Sequence, residues 1–321
     1  MNLIANELFL RNWTVSLAAI NEGPEDSVVL NCENVCLKRP WKAGFIDTLR
    51  AFKILSRFVK DWAPDLMILN CSLPELFGAF LLGKHRLVVV EHAPIPWGNW
   101  KILGLVVRKI LKFRKATWVA VSPHLQIWPG RNVPSRVIQN PIANQSSANQ
   151  KIPDVRRVKR LVYIGRLSEE KQPDVFLNLI ENLKMPGLVI GDGYLRSALE
   201  EREILQSLDV TFLGHVRDPW EYLREGDLLV VPSAWEGDGI VVLEAVSRFV
   251  PILVSDISSF RSFGLNEINY CKQSEDFELA IQENLNHLER FRLSSNCAIE
   301  VLESRSIDVV ASKWESLFLA F

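Results

Sequence analysis

Two glutamates, Glu236 and Glu244, stand eight residues apart in the stretch P-S-A-W-E-G-D-G-I-V-V-L-E-A-V-S, residues 232–247, around a Gly-Asp-Gly turn. Paired carboxylates suggest acid and nucleophile work on a glycosidic bond, but the spacing argues against it. Eight helical residues span about 12 Å, whereas a retaining glycosidase sets its carboxylates about 5 to 5.5 Å apart. A second constellation lies upstream in G-R-L-S-E-E-K, where Arg166 follows Gly165 and Lys171 closes the run. An arginine fork and a lysine point charge together suit a diphosphate. Lys171 opposes the dipole of a helix that Pro173 helps to start, while Glu169 and Glu170 agree with it, and a bound phosphate would resolve that conflict. His92 in E-H-A-P is a third candidate because an apolar strand delivers it, although a lone histidine is more often structural than functional.

The elements that must position these groups follow from periodicity. The run D-L-L-V-V before Pro232 reads as a buried strand, followed by a tight loop that needs glycine's backbone freedom and a helix from about Ile240. In parallel α/β sheets, ligands gather beyond the carboxyl ends of the strands, and the amides that open the next helix attract anions. The second half alternates throughout, with strands expected at 160–164, 188–190, 210–213, 227–231 and 251–255, which predicts a parallel sheet with right-handed crossovers. In the first half, helices are expected at 1–11, 43–61 and 74–82, and strands at 13–20, 28–31, 66–70, 87–91, 117–121 and 136–138. A doubly wound domain normally opens with a strand and a Gly-rich turn, and neither precedes Met1. The expectation is therefore a chain that begins inside its usual first unit, or a domain without its first strand; the second would leave ladder groups unpaired. Residues 143–151 are polar and small, as a linker would be. The resulting division is 1–145 for a first domain, 146–305 for a second, and 306–321 for a terminal helix packing back towards the first.

Composition bounds the alternatives. The chain has 321 residues, 48% of them hydrophobic and 23% charged, which suits two medium domains with real cores. Residues 1–150 hold 18 Lys+Arg against 10 Asp+Glu, and residues 151–321 hold 19 against 28, so the near-neutral total hides a basic first half. Six of those basic residues lie in K-I-L-G-L-V-V-R-K-I-L-K-F-R-K, residues 101–115. On a helix, Lys101, Arg108, Lys109, Lys112 and Lys115 gather on one face, with Ile102, Leu103, Val106, Ile110 and Phe113 opposite. Two readings stand: an interfacial helix against an anionic membrane, or a helix packed on its sheet with a solvated basic face. The five cysteines show no C-x-x-C pairing, which fits a reducing cytoplasm better than a disulfide framework or a zinc site. Apolar stretches are broken by charge well short of a membrane span, and the amino terminus lacks the pattern of a signal peptide. No nucleic-acid partner is expected.

The order G-R-L-S-E-E-K, V-I-G-D-G, V-T-F-L-G-H-V and V-P-S-A-W-E-G-D-G-I-V-V-L-E-A resembles the family-4 retaining glycosyltransferases of the GT-B fold. V-V-E-H-A-P, V-A-V-S and V-I-Q-N-P look like that family's early segments. The resemblance implies an α/β protein with two Rossmann-like, doubly wound domains facing each other across a cleft. It implies transfer of a sugar from a nucleotide-diphosphate donor to a glycan or lipid-linked acceptor in cell-envelope synthesis, without a metal or other cofactor. By that resemblance Gly165, Arg166 and Lys171 hold the diphosphate, Glu244 the ribose, and Val216 lies by the nucleobase. Glu236 faces the sugar, His92 reaches the reacting centre, and the amides of Asp238, Gly239 and Ile240 hold sugar or phosphate. The expected place is the cytoplasm, with peripheral contact at the inner face of the membrane through residues 101–115. The alternative is a non-catalytic nucleotide-sugar-binding subunit that supports a partner enzyme. Two departures bear on the donor: the family's E-G-F-G reads E-G-D-G here, and the small residues usual after the second glutamate are Ser247-Arg248-Phe249-Val250. Donor sugar, base, acceptor and linkage stay open.

Overall fold

A computed structural model describes residues 2–21, 33–40, 44–94, 96–125, 127–128, 135–142, 156–292 and 302–321. The chain divides into unit 1, residues 1–141 with 307–321, and unit 2, residues 142–306.

Among the described residues, unit 2 is built on a single parallel sheet of six strands. These are β7 (Arg160–Ile164), β8 (Gly187–Ile190), β9 (Val210–Gly214), β10 (Asp227–Val231), β11 (Ile252–Ser255) and β12 (Tyr270–Cys271), preceded in chain order by the six strands of unit 1. Their order across the sheet is β12-β11-β10-β7-β8-β9, and every pairing is parallel. Counted from either edge this is the doubly wound order, with the chain reversing direction between β7 and β10. Leu228, Leu229, Val230 and Val231 are all buried, as a strand covered by helices on both faces requires. One core packs Leu161, Tyr163, Phe176, Val189 and Leu228, and a second packs Val162, Ile190, Leu229, Val242 and Val254, so alternate residues of the central strands serve opposite layers. The helices of this unit are α5 (Pro173–Leu183), α6 (Arg196–Gln206), α7 (Ile240–Ser247), α8 (Ser258–Arg261) and α9 (Ser274–Glu283), numbered after the four unit 1 helices that precede them in the chain.

Unit 1 holds two separate parallel sheets among the described residues. One pairs β1 (Ser16–Asn21) with β2 (Glu33–Arg39); the other runs β3 (Leu66–Asn70), β4 (Arg86–Glu91), β5 (Thr117–Ala120), β6 (Ser135–Val137) in that order. The helices are α1 (Asn2–Leu10), α2 (Phe45–Trp62), α3 (Ser72–Phe80), α4 (Lys101–Phe113) and, after unit 2, α10 (Ile307–Leu319). Helix α2 buries Ala51, Leu55 and Val59 at a four-residue spacing and ends where Ala63 turns left-handed (φ +47°) ahead of Pro64. Helix α10 is held within unit 1 beside α1: Arg11 pairs with Asp308 and Glu315, and the Trp13 indole donates to Glu315 at 2.8 Å. The expected strand at 28–31 and the expected linker at 143–151 lie outside the described residues. No helix among the described residues is long and apolar enough to cross a membrane.

Candidate active site

The two strands at the reversal point of the unit 2 sheet carry the two sequence constellations. Strand β7 ends into Gly165-Arg166, and β10 ends into Pro232-Ser233 and the Glu236 turn. A doubly wound sheet opens a crevice beyond the carboxyl ends of such strands, because their following helices lie on opposite faces. Residues 70 positions apart in sequence are thus delivered to one place by strand order.

The loop after β7 is shaped by close backbone packing. Gly191, with φ +136°, lies so near Gly165 that a Cβ would sit 1.9 Å from its carbonyl oxygen, and a Cβ on Gly193 would sit 2.2 Å from that of Leu167. Only glycine fits at V-I-G-D-G, which fixes the path of Gly165-Arg166-Leu167 through the Leu167 N–H to Asp192 carbonyl bond of 3.0 Å. Arg166 emerges 73% exposed, 4.0 Å from Glu170. Residues Glu169–Lys171 form one 3-10 turn, and Gln172 in left-handed conformation separates it from α5. The Ala234 N–H donates to the Glu170 carbonyl at 2.9 Å and ties this loop to the one after β10.

Lys171 and Glu236 meet directly, Nζ to Oε2 at 2.5 Å, with side chains 25% and 7% exposed. Glu236 thus partners Lys171 at the place where a bound phosphate is expected from the sequence. Ser233 Oγ donates to the other carboxylate oxygen at 2.9 Å, and Ser259 Oγ donates to the Glu236 carbonyl at 2.8 Å, so both the side chain and the backbone of Glu236 are held. Gly239 adopts φ +63° at the N-cap of α7, and no side chain caps that helix among the described residues. The amides opening α7 therefore face the turn without a protein partner of the capping kind.

Glu244 lies half-buried in α7. Burial pushes its carboxyl above the ordinary range, opposed by the Arg248 charge and by a hydrogen bond with Trp220. Arg248 reaches back over the Trp220 ring at 4.7 Å and donates to the Glu244 carbonyl at 3.0 Å. Asp238 does not offer its carboxylate outward: it is buried and accepts a bond from Arg305 Nη1 at 2.6 Å. Val216 is half-buried against the core that contains Val242.

His92 belongs to unit 1, just past the carboxyl end of β4, and its Nε2 is hydrogen-bonded with Asn70 Oδ1 at the end of β3. Cys71, which follows Asn70, holds φ +82°, a backbone conformation that costs a non-glycine residue about 1–3 kcal/mol. Below this edge lies a buried ion cluster. Arg108 of α4 donates to both oxygens of Glu75 at 2.6 and 2.8 Å and to Glu91 at 2.6 Å, and the Trp97 indole donates to Glu75 at 3.1 Å. The expected basic face of α4 is therefore wrong at Arg108, which is 2% exposed. The side of α4 that turns inward is Gly104, Val107, Arg108 and Leu111, while Ile102, Val106 and Phe113 are exposed together with Lys109 and Lys112.

Sequence reasoning missed Ser233, Trp220 and Arg305. Ser233 had a signal in the S-x-x-E spacing to Glu236, the pattern by which a hydroxyl and a carboxylate meet at a chain turn. Arg305 had none, being 67 residues from Asp238.

Two parallel α/β units, one of them with the doubly wound order and a charged site at its reversal point, define the GT-B class, and solved structures of that class share the whole chain's fold. Sucrose-phosphate synthase from Thermosynechococcus elongatus superposes with a TM-score of 0.79 at 17% identity, covering 99% of this chain and 91% of that one. Anabaena HepE, solved with UDP and glucose, gives 0.79 at 15% identity over 99% and 94%. Residues 158–287 match the family described as Glycosyl transferases group 1. An Escherichia coli UDP-Gal:alpha-D-GlcNAc-diphosphoundecaprenol alpha-1,3-galactosyltransferase is 26% identical over 182 residues, 53% of this chain and 44% of its own. The putative teichuronic acid biosynthesis glycosyltransferase TuaC of Bacillus subtilis is 36% identical over 110 residues, 33% and 27% respectively. The matches span less than half the length of each of these curated relatives.

Proposed function

We propose that the protein transfers a sugar, with retention of anomeric configuration, from a nucleoside-diphosphate sugar to a glycan or lipid-linked acceptor of the cell envelope. The observation that carries this reading is the meeting of Arg166, Lys171, Glu236 and the start of α7 at the reversal point of the unit 2 sheet. Arg166 and the α7 amides bind the diphosphate, and Lys171 exchanges part of its contact with Glu236 for a phosphate oxygen. These groups offset the charge that grows on the departing diphosphate, so no cation is called for in this scheme. Glu236, released on that side, accepts hydrogen bonds from the sugar hydroxyls, and Glu244 accepts from the ribose. His92 serves the acceptor side from unit 1. HepE, solved with UDP and with UDP-glucose, makes a uridine diphosphate sugar the first donor to try; the relatives named for undecaprenol-linked and teichuronic acid substrates favour a cell-envelope acceptor.

The test is transfer from radiolabelled UDP-sugars to polyprenyl-diphosphate-linked acceptors. Lys171→Met should lower transfer about a hundredfold or more, the loss expected when a charge-stabilising group leaves an acyl- or phosphoryl-type departure site. UDP-sugar binding by the wild type with no transfer to any acceptor would favour a binding subunit instead.

The acceptor in this proposal is reached at an anionic membrane surface through α4. Its outward side sets Ile102 and Phe113, 81% and 89% exposed, beside Lys109 and Lys112, the mixture an interfacial helix needs. The partition coefficient onto phosphatidylglycerol vesicles, read by sedimentation, should fall about thirtyfold in Lys109→Ser/Lys112→Ser, since each basic residue contributes about 1 kcal/mol near such a surface. Unchanged binding would remove the membrane from the scheme.

A further inference from the structure

Asp238 is where this chain departs from the E-G-F-G pattern, and it stands two residues past Glu236 and one before the glycine that opens α7. A bare carboxylate beside a diphosphate would repel it. Its partner Arg305 is 2% exposed, and the guanidinium carbon lies 5.6 Å from the Phe263 ring centre, so a planar cation is fixed between a carboxylate and an aromatic face. The Arg305 backbone is fixed as well: its carbonyl accepts the Ile142 N–H at 3.0 Å. Ile142 opens unit 2 and Arg305 is the last residue but one before the chain leaves it, so the incoming and outgoing segments of the unit are tied together at this arginine. Phe263 in turn lies near Gly239, where a Cβ would come within 3.3 Å of its ring. The turn 236–239 is therefore packed against a buried ion pair whose cation is anchored far along the chain.

We infer that Arg305 is a positioning residue of the donor loop, which sets the shape of the 236–239 turn through Asp238 and cancels the Asp238 charge where the diphosphate binds. The charge part rests on the proposed donor site; the anchoring part does not. Where the family pattern has an aromatic side chain, this chain has a carboxylate that must have its cation, because a buried charge persists only when paired.

Two measurements on the full-length protein test it. In the unliganded protein, hydrogen-exchange mass spectrometry of a peptide covering 232–242 should show exchange about tenfold faster in Arg305→Met than in the wild type, while peptides from β7 and β8 stay unchanged. Calorimetric titration with UDP should show about a tenfold loss of affinity in Arg305→Met, relieved at high salt. Asp238→Asn, which removes the anion and leaves the cation, should bind UDP as well as the wild type or more tightly, and Asp238→Asn/Arg305→Met should recover most of the loss. Equal losses of UDP affinity in Arg305→Met and Asp238→Asn would overturn the charge-cancelling role, because a merely structural pair fails alike from either side. Exchange in 232–242 unchanged in Arg305→Met would overturn the anchoring, whether or not the wild type binds UDP. Should Arg305→Met not fold, Arg305→Lys keeps the charge without the fork, and the same exchange comparison is made on it and on the double variant. A wild type that binds no UDP speaks against the donor site, whereas the exchange result speaks for or against Arg305.

Discussion

Each unit pairs basic and acidic side chains near the carboxyl ends of its parallel strands, and the two pairings differ in how much water they keep. In unit 1, Arg108 spends its guanidinium on Glu75, Glu91 and the Trp128 carbonyl, with the Trp118 and Trp128 rings at 5.2 and 5.5 Å. All three charged groups are buried, and burial pushes the Glu91 carboxyl up in spite of Arg108. In unit 2, Lys171 makes its contact with Glu236 while keeping a quarter of its side chain exposed. A rigid fork wrapped by indoles cannot trade partners without leaving a charge unpaired in low dielectric. A single ammonium at the edge of a crevice can, because three rotatable donors reach either a carboxylate or a phosphate. Similar ions thus make framework in one unit and an exchangeable site in the other.

The comparison breaks if the buried cluster proves dispensable. Arg108→Met leaves two buried carboxylates without their cation and should cost about 3–5 kcal/mol, the usual penalty for removing one partner of a buried pair. For a unit of this size that lowers the melting temperature by about 10 °C, read by calorimetry. Lys171→Met should cost only about 1–2 kcal/mol, because Ser233 still donates to Glu236 and solvent reaches the site. A Lys171→Met protein that melts as low as Arg108→Met would show that the unit 2 pair is framework too.

Much of this contrast was readable in sequence for unit 2 and little of it for unit 1. The glycines of V-I-G-D-G and the Pro-bounded strand before Glu236 are local signals, and local backbone demands write themselves into adjacent residues. The alternation of strand and helix gave the parallel sheet, and its strand order then explained why Arg166 and Glu236 converge. In the first half, helical periodicity located α4 but not which side faces inward. An arginine on the buried side is invisible to a hydrophobic pattern, because its acceptors Glu75 and Glu91 come from other elements. The pairing of Asp238 is hidden for the same reason: its partner Arg305 lies at the far end of unit 2, and no spacing rule connects them. The bulky Arg248 stood out as a departure, but its stacking on Trp220 depends on a loop that sequence does not aim.

The smallest effect expected concerns Glu244, where the two kinds of ion meet in one residue. Its carboxyl is raised above the ordinary value by burial, so over the window from about pH 4.5 up to its native value the folded state holds more proton than the unfolded one, and stability falls as pH rises through that window. Above it the buried charge is a constant penalty. Glu244→Gln removes that penalty and keeps an oxygen for the Trp220 indole, so the unliganded protein should melt about 1–3 °C higher at pH 7.5. The gain should shrink as the pH falls through that window and vanish below the ordinary carboxyl range, where the side chain is neutral in both states. Arg248 sets the opposing force: burial lowers its own proton affinity and the Glu244 charge restores part of it. A melting temperature that drops in Glu244→Gln at pH 7.5 would mean that the guanidinium over Trp220 needs its carboxylate more than the carboxylate suffers from burial. Glu244 would then belong with Glu75 and Glu91 as framework, and its part in holding the ribose would have to be carried by a group already committed to the fold.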